Sequence, residues 1–235
     1  MPSSSHPFAS QPYFHDTLFA DFALDALEVD GTEFSACTFR NCKLAGSRWK
    51  GCLFEDCVFE GCELTRSQWV RAQLRGVRFV GCKLMGVDWS QAGHSPELVF
   101  EDCNLRYGSF VGASLHCTPF RRCDLQESNF IDVELCDAEF ESSRFDGATL
   151  RGCDLSRADF RSSTGLFFEP ARNKLKDTWV PVETTIALAL ALGLRVEGAS
   201  GEGERPTAKK KRARKAEPLA RERGTQVRPQ SNSSS

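Results

Sequence analysis

No apolar run in this 235-residue chain approaches the roughly 18 residues needed to cross a bilayer. Its opening residues, MPSSSHPFASQPYFHD, lack the basic-then-apolar order of a secretory leader. Histidine is scarce, with only His6, His15, His94 and His116. There is no Gly-rich phosphate loop and no HExxH, GxSxG or CxxC motif. These absences argue against a membrane protein, a secreted one and an enzyme. The chain is expected in the cytoplasm, with no catalytic residues, metal, cofactor or small-molecule substrate.

What is present is charge, unevenly placed. The net charge of -2 conceals an acidic body, in which residues 16–165 carry 24 Asp or Glu against 16 Lys or Arg, and a basic end, in which residues 199–235 carry 4 against 10. Cysteine is also abundant, at eleven. In a short secreted chain that count would suggest a disulfide framework, but no export signal supports one here.

The cysteines fall on a beat of five, and so do large apolar residues. Phe34, Phe39, Leu44, Trp49, Phe54, Phe59, Leu64, Trp69, Leu74, Phe79, Leu84 and Trp89 follow without a break, and the series resumes from Phe100 to Phe160. Every fourth centre repeats in kind. Phe19, Phe39, Phe59, Phe79, Phe100, Phe120, Phe140 and Phe160 form one column, and another begins Leu24, Leu44, Leu64, Leu84. A period of twenty built from fives predicts a four-sided coil, each turn lying on the last at the strand spacing of about 4.8 Å. Like side chains then stack inside, and backbone groups pair between turns.

The position two before each centre also faces the narrow interior and holds small residues. Cys42, Cys62, Cys82, Cys103 and Cys123 share one column, Cys37 and Cys57 another. Packing as a small hydrophobe is the favoured reason. A metal ladder or a run of disulfides is the alternative, weakened by parallel side chains and a reducing compartment. Cys117 and Cys136 lie off the inward positions and are the expected reactive thiols.

Units such as "CKLAGSRWKG", "CNLRYGSFVG" and "CDLSRADFRSS" follow the pattern A(D/N)LXX. In them the chain resembles the pentapeptide repeat family. The resemblance implies an all-β fold, a right-handed quadrilateral β-helix over residues 17–165. A loose segment 1–16 is expected before it, a cap with a short dimerisation helix over 166–198, and a disordered basic tail over 199–235.

Two stretches break the beat. Between Trp89 and Phe100 there is one residue too many, so Gly93, His94, Ser95, Pro96 and Glu97 are expected to bulge, as a tolerated insertion or as a partner contact. After Phe160, Pro181 offers a helix start and Gly193 and Gly198 candidate stops around an apolar run from Ile186 through Leu188, Leu190 and Leu192 to Leu194. With Trp179 that run exceeds what a cap requires, and a two-fold seam would bury the excess. Its finish, "LALGLRVEG", is similar to that of the quinolone-resistance (Qnr-type) branch of the family, which dimerises through such a helix.

The resemblance to that branch implies a homodimeric DNA mimic that binds DNA gyrase or topoisomerase IV and protects it from quinolone-like or other topoisomerase poisons, as antibiotic resistance or self-immunity. The residues that would imitate phosphates are Asp124, Glu127, Asp132, Glu134, Asp137, Glu139, Glu141 and Asp146, with Arg144 the one base among them. Most flank a centre, so stacked turns are expected to repeat negative charge along the rod. A solvated face is the plainer reading of such a run. The competing function is a scaffold or adaptor that binds another protein and has no topoisomerase role. The block "KKKRARK" would contact nucleic acid weakly through phosphates, or serve as a solvated tail.

Overall fold

The beat of five has a backbone cause. Three residues run extended with the middle one pointing inward, and the chain then turns a corner through a residue in the left-handed region. Asp16, Asp21, Ala26, Gly31, Ala36, Asn41, Gly46 and Gly51 all have φ between 46° and 66°, five residues apart. Gly, Asn and Asp suit that conformation, which is why they recur there. Arg66, Arg71, Tyr107 and Glu127 adopt it too, at φ of 53° to 61°.

The computed structural model describes Phe8 and residues 11–93 and 96–197. The repeats form a four-sided coil whose turns pair in parallel. On one side the phenylalanine column makes a seven-stranded sheet running from Leu18–Ala20 to Glu139–Glu141, with Phe19 opposite Phe39 and Phe120 opposite Phe140. The side preceding it carries a four-stranded sheet of Tyr13–His15, Glu33–Ser35, Leu53–Glu55 and Gln73–Arg75, centred on Phe14, Phe34, Phe54 and Leu74. The other two sides are held mainly by isolated bridges such as Lys43 with Glu63 and Gln68 with Asp88. Corner amides donate to the following turn, as Asn41 N does to Glu60 O at 2.8 Å.

The interior is aromatic and closed. Phe34, Phe39, Trp49, Phe54, Phe59 and Trp69 are fully buried. Phe39 stacks on Phe59 with ring centroids 4.5 Å apart, and Phe110 on Phe130 at 4.6 Å. Such offset pairs add about 0.5–1.5 kcal/mol each beyond area burial.

Both ends extend past the expected limits. The strand Tyr13–His15 and its buried Phe14 complete a turn that was expected to begin at residue 17, and Phe8 packs edge-on against Phe14, Phe19 and Phe34. The reason is visible in hindsight, since Phe14 stands twenty residues before Phe34. At the other end bridges continue through Asp154 with Lys174 to Asp159 with Trp179, beyond residue 165.

The C-terminal helix α1 spans Val182–Ala191. Pro181 precedes it with its carbonyl accepting from Thr185 N, and Gly193 at φ 78° ends it. Leu192 and Leu194 therefore lie beyond the helix. Thr184 is buried and its hydroxyl donates to Leu166 O at 3.0 Å, tying α1 to the end of the coil.

Candidate binding surface

Packing claims the centres and the positions two before them, so chemistry is left to the two residues flanking each centre and to exposed corner side chains. The eight carboxylates between Asp124 and Asp146 occupy those places, but not on one side. Asp124 and Asp146 belong to the leucine side, Asp132 turns the corner after Phe130, Glu134 flanks Leu135, and Glu139 and Glu141 flank Phe140. They form a belt around about one turn. The expected repetition of negative charge along the rod is corrected accordingly.

The belt is also partly neutralised. Arg157 holds Asp137 through both oxygens at 2.7 and 2.6 Å, and that contact keeps the Asp137 carboxyl below its usual range. Arg121 lies 3.7 Å from Glu139 and 3.8 Å from Glu141, and Arg106 lies 4.0 Å from Asp124. Asp146 accepts from Gln126 Nε2 at 2.8 Å and sits 3.6 Å from Arg144. Glu127, Asp132 and Glu134 are exposed and have no ion pair among the described residues; Glu134 accepts from Ser114 Oγ at 2.7 Å.

A complementary feature escaped the sequence reading. Between Glu63 and Asp88 there is no acid at all, while Arg66, Arg71, Arg75, Arg78 and Lys83 fall in that span. Lys83 pairs with Glu63 at 3.1 Å and Arg78 with Glu101 at 3.5 Å. Arg66, Arg71 and Arg75 are exposed and have no ion pair among the described residues. A count of bases over one turn's length, like the count of acids, would have found the stretch.

The bulge lies beside it. Gly93 N donates to Ala72 O at 2.8 Å, so the chain begins a normal rung. Pro96 has no amide to give, and Glu97 N instead donates to Leu74 O at 2.9 Å. Pairing then resumes at Leu98 opposite Val77. Pro96 is buried and Glu97 exposed; His94 and Ser95 lie outside the described residues. No described centre fills this side between Leu74 and Leu115.

The inward thiols bond as well as pack. Cys57 Sγ donates toward Phe34 O at 3.3 Å and Cys123 Sγ toward Phe100 O at 3.5 Å, so each reaches the preceding turn. Ser143 does the same through its hydroxyl to Phe120 O at 3.0 Å. All eleven cysteines are free, and burial pushes the Cys57 and Cys123 thiols up to about 12. Cys117 is exposed and Cys136 half-buried. Cys117 has a neighbour the sequence reading did not assign it, with His116 Nδ1 3.1 Å from Sγ. Among the described residues no group of three or more metal-ligating side chains converges, and no helix is long and apolar enough to cross a membrane.

The expected seam is exposed in part. Trp179 is 58% exposed, with the Arg161 guanidinium over its ring at 5.0 Å. Leu190, Leu192 and Leu194 are exposed, and so is Val182, which the sequence reading left out. Ile186 and Leu188 are half-buried, and Leu188 packs on the coil's core. The basic tail over 199–235 lies outside the described residues.

A family model described as a pentapeptide repeat region matches four overlapping stretches, residues 12–89, 32–110, 52–130 and 72–150, together more than half of the chain. No curated protein matches by sequence. Among solved structures, a trypsin-treated variant of QnrB1, a plasmid-mediated fluoroquinolone resistance protein, is 20% identical. The match covers 76% of this chain and 99% of that one at a TM-score of 0.45. HetL, a pentapeptide repeat protein involved in heterocyst differentiation regulation from the cyanobacterium Nostoc sp. strain PCC 7120, is 18% identical over 74% of this chain and 89% of its own, at 0.40.

Proposed function

We propose that this chain, which belongs to the pentapeptide repeat family, is a non-catalytic binding rod that occupies the DNA-binding groove of DNA gyrase or topoisomerase IV and so protects the enzyme from quinolone-like or other poisons. The observation that carries the reading is the position of the acidic belt next to the apolar end. Glu139 bridges to Asp159 and Asp159 to Trp179, so the belt lies about two rungs, or roughly 10 Å, from the exposed Trp179. Two copies joined through Trp179, Leu190, Leu192 and Leu194 would bring their belts together on either side of the seam. The negative charge of the dimer would then be concentrated at its middle, where a basic DNA groove takes hold of a duplex. The Leu-Gly-aliphatic segment that follows α1 is consistent with that seam.

The test is a gyrase supercoiling and drug-stabilised cleavage assay with the purified protein. Loss of fluoroquinolone-induced cleavage at near-stoichiometric protein is expected. The triple variant Glu127→Lys, Asp132→Lys and Glu134→Lys, which breaks no ion pair among the described residues, is expected to lose protection while keeping its fold. Unchanged cleavage at large excess of the native protein would remove the topoisomerase reading. Full protection by the folded triple variant would remove the belt from it.

A second reading has its own support. Asp124, Asp137, Glu139, Glu141 and Asp146 already have basic partners, which is more than a phosphate mimic needs and suits an adaptor that binds another protein through shape. Pull-down of a partner other than a topoisomerase, with no effect on cleavage, would favour it.

A further inference from the structure

We propose that the side of the coil holding Trp69, Trp89, Phe110 and Phe130 is a self-complementary face, through which two copies of this chain pair side by side and antiparallel. On the outside of these buried centres lie Gln68, Asp88, Ser109 and Asn129, which bridge one to the next up the coil. The two corners bounding the side climb in step. Along one, Arg66 N donates to Met85 O, Gly86 N to Arg106 O and Tyr107 N to Gln126 O; along the other, Arg71 N donates to Gln91 O and Gly112 N to Ile131 O. Arg66 therefore shares a corner with Glu127, and Arg71 shares the opposite corner with Asp132, each pair three rungs or roughly 14 Å apart. All four side chains are exposed, and none has an ion pair among the described residues.

A two-fold axis perpendicular to the coil axis, crossing this side between Asp88 and Ser109, lays each corner on the same corner of the second copy with its direction reversed. Arg66 then meets Glu127 of the second copy and Arg71 meets its Asp132, and the two-fold repeats both pairs. A guanidinium can hold a carboxylate through two parallel hydrogen bonds. The rest of the surface agrees under the same operation. Half-buried Val70 comes opposite half-buried Ile131, Gln68 opposite Asn129, and Asp88 opposite Ser109, whose hydroxyl can donate to it. The exposed ring of Tyr107 comes opposite Gly86, and Gln91 opposite Gly112, so the larger corner side chains nearest the axis face glycines. The space over Gly112 is open, since a Cβ there would meet no atom within 4 Å.

Other arrangements fit less well. A two-fold along the coil axis would set Arg66 against Arg71 and Glu127 against Asp132, like against like. A partner of uniform charge, nucleic acid included, would gain from one half of the face and be repelled by the other. The contact is also bounded, because the next rung brings Lys50, held by Asp30 at 2.6 Å, opposite Arg151. Four rungs make a patch roughly 19 Å long. That is smaller than a standard interface, so the pairing is expected to be weak and concentration-dependent. Every residue of the patch lies among the described ones. The face is separate from the seam at Trp179, and pairing through it would cover Glu127 and Asp132 of the acidic belt.

The experiment is sedimentation equilibrium of the full chain at about 0.05 M and about 0.5 M salt. Every protein in the set carries Leu190→Glu and Leu192→Glu, so that an end seam contributes to none. With the face unaltered, self-association is expected below about 1 mM protein, and more weakly at the higher salt. Arg66→Glu with Arg71→Glu, and separately Glu127→Arg with Asp132→Arg, are each expected to weaken it by about tenfold or more. The native corners already hold both basic and acidic residues in this conformation, so these variants are expected to fold. Mixed one to one, the two variants regain all four ion pairs and are expected to associate to within about threefold of the unaltered face. Orientation is read with a short bismaleimide after Cys117→Ser and Cys136→Ser: a Gln68→Cys copy is expected to link to an Asn129→Cys copy, and neither to itself. The proposal is overturned if the unaltered face stays monomeric at about 1 mM and low salt, if either charge variant associates as the unaltered face does, if the mixture fails to recover, or if Gln68→Cys links to itself. Tighter association of Arg66→Glu, Arg71→Glu would point to the basic tail gripping the belt and would overturn it too. None of these outcomes depends on the topoisomerase assay.

Discussion

Three indoles stack along one side of the coil, with centroids 5.9 Å apart between Trp49 and Trp69 and 6.1 Å between Trp69 and Trp89. Trp49 Nε1 donates to Ser47 Oγ at 2.9 Å and Trp69 Nε1 to Ser67 Oγ at 3.1 Å. At the next rung the serine position is Val87, and Trp89 Nε1 is buried without a hydrogen-bond partner. An orphaned buried donor costs about 1–3 kcal/mol. Val87→Thr would supply the acceptor at the loss of one methyl, worth about 0.8 kcal/mol. The new hydroxyl proton has acceptors of its own. In the same column Ser128 Oγ donates to Leu125 O at 2.7 Å and Leu105 O at 3.3 Å, and the corresponding carbonyls for residue 87 are those of Leu84 and Leu64. Thr178 Oγ1, two before the centre Val180 on another side, reaches Leu155 O at 2.7 Å in the same manner, so threonine fits an inward place.

The expected net effect is a gain of roughly 0.5–2 kcal/mol. The mirror substitution, Ser67→Val, orphans Trp69 and is expected to lose a similar amount. Urea unfolding at equilibrium, followed by tryptophan fluorescence, reads both as shifts in midpoint at constant slope. A Val87→Thr protein less stable than the native one, or a neutral Ser67→Val, would refute the account of the indole ladder.

Three further outcomes follow from the inward and corner positions. With an aromatic disulfide reagent at neutral pH, the native protein is expected to expose Cys117 first and Cys136 second, and the remaining nine thiols only on unfolding; fast modification of a buried column would contradict the packing described. Burial raises Cys57 and Cys123 to about 12 and Cys52 to about 11 from 9.0. Because these folded values lie above the unfolded ones, their contribution is intact below about pH 9 and is lost as pH rises toward 11 to 12. Each thiol adds about 1.4 kcal/mol per pH unit to the slope, and alkaline unfolding measured from pH 8 to 12 checks it. Gly152→Ala is expected to cost roughly 1–2 kcal/mol from its φ of 71°. It should cost more because a Cβ there would overlap Asp132 Oδ1, so adding Asp132→Ala should recover the second part but not the first.

How much of this was legible in the sequence depended on which position in the five was being read. The centres announce themselves, since only large apolar residues fill them, and every centre expected from Phe34 to Trp89 is buried. The helix start at Pro181 and its stop at Gly193 were legible from backbone chemistry alone. Phe8 was not, because a single plug has no period. The corners were not, because Arg66, Tyr107 and Arg157 hold the left-handed conformation without belonging to the residue types that favour it. The acidic belt was seen as a count and misread as a face. Twenty-odd consecutive residues circle the coil once, so closeness in sequence distributes charge over all four sides, while alignment along one side requires residues twenty apart.

That distinction decides what the flanking positions say. Read twenty apart, charges mostly alternate and cancel: Arg40 meets Glu60 at 2.7 Å, Lys83 meets Glu63, and Arg121 is set among Glu101, Glu139 and Glu141. Axial ladders of this kind resemble cross-strand pairs, each worth at most about 1 kcal/mol when exposed, and they hold register between turns more than they recruit partners. Side chains left out of the ladders are therefore the informative ones. Arg66, Arg71 and Arg75 stand in the stretch without acids between Glu63 and Asp88, and Glu127, Asp132 and Glu134 stand in the acidic belt. The coil thus offers unpaired bases and unpaired acids at places about three turns apart, and a partner that reads either must recognise a site on the rod rather than its average charge.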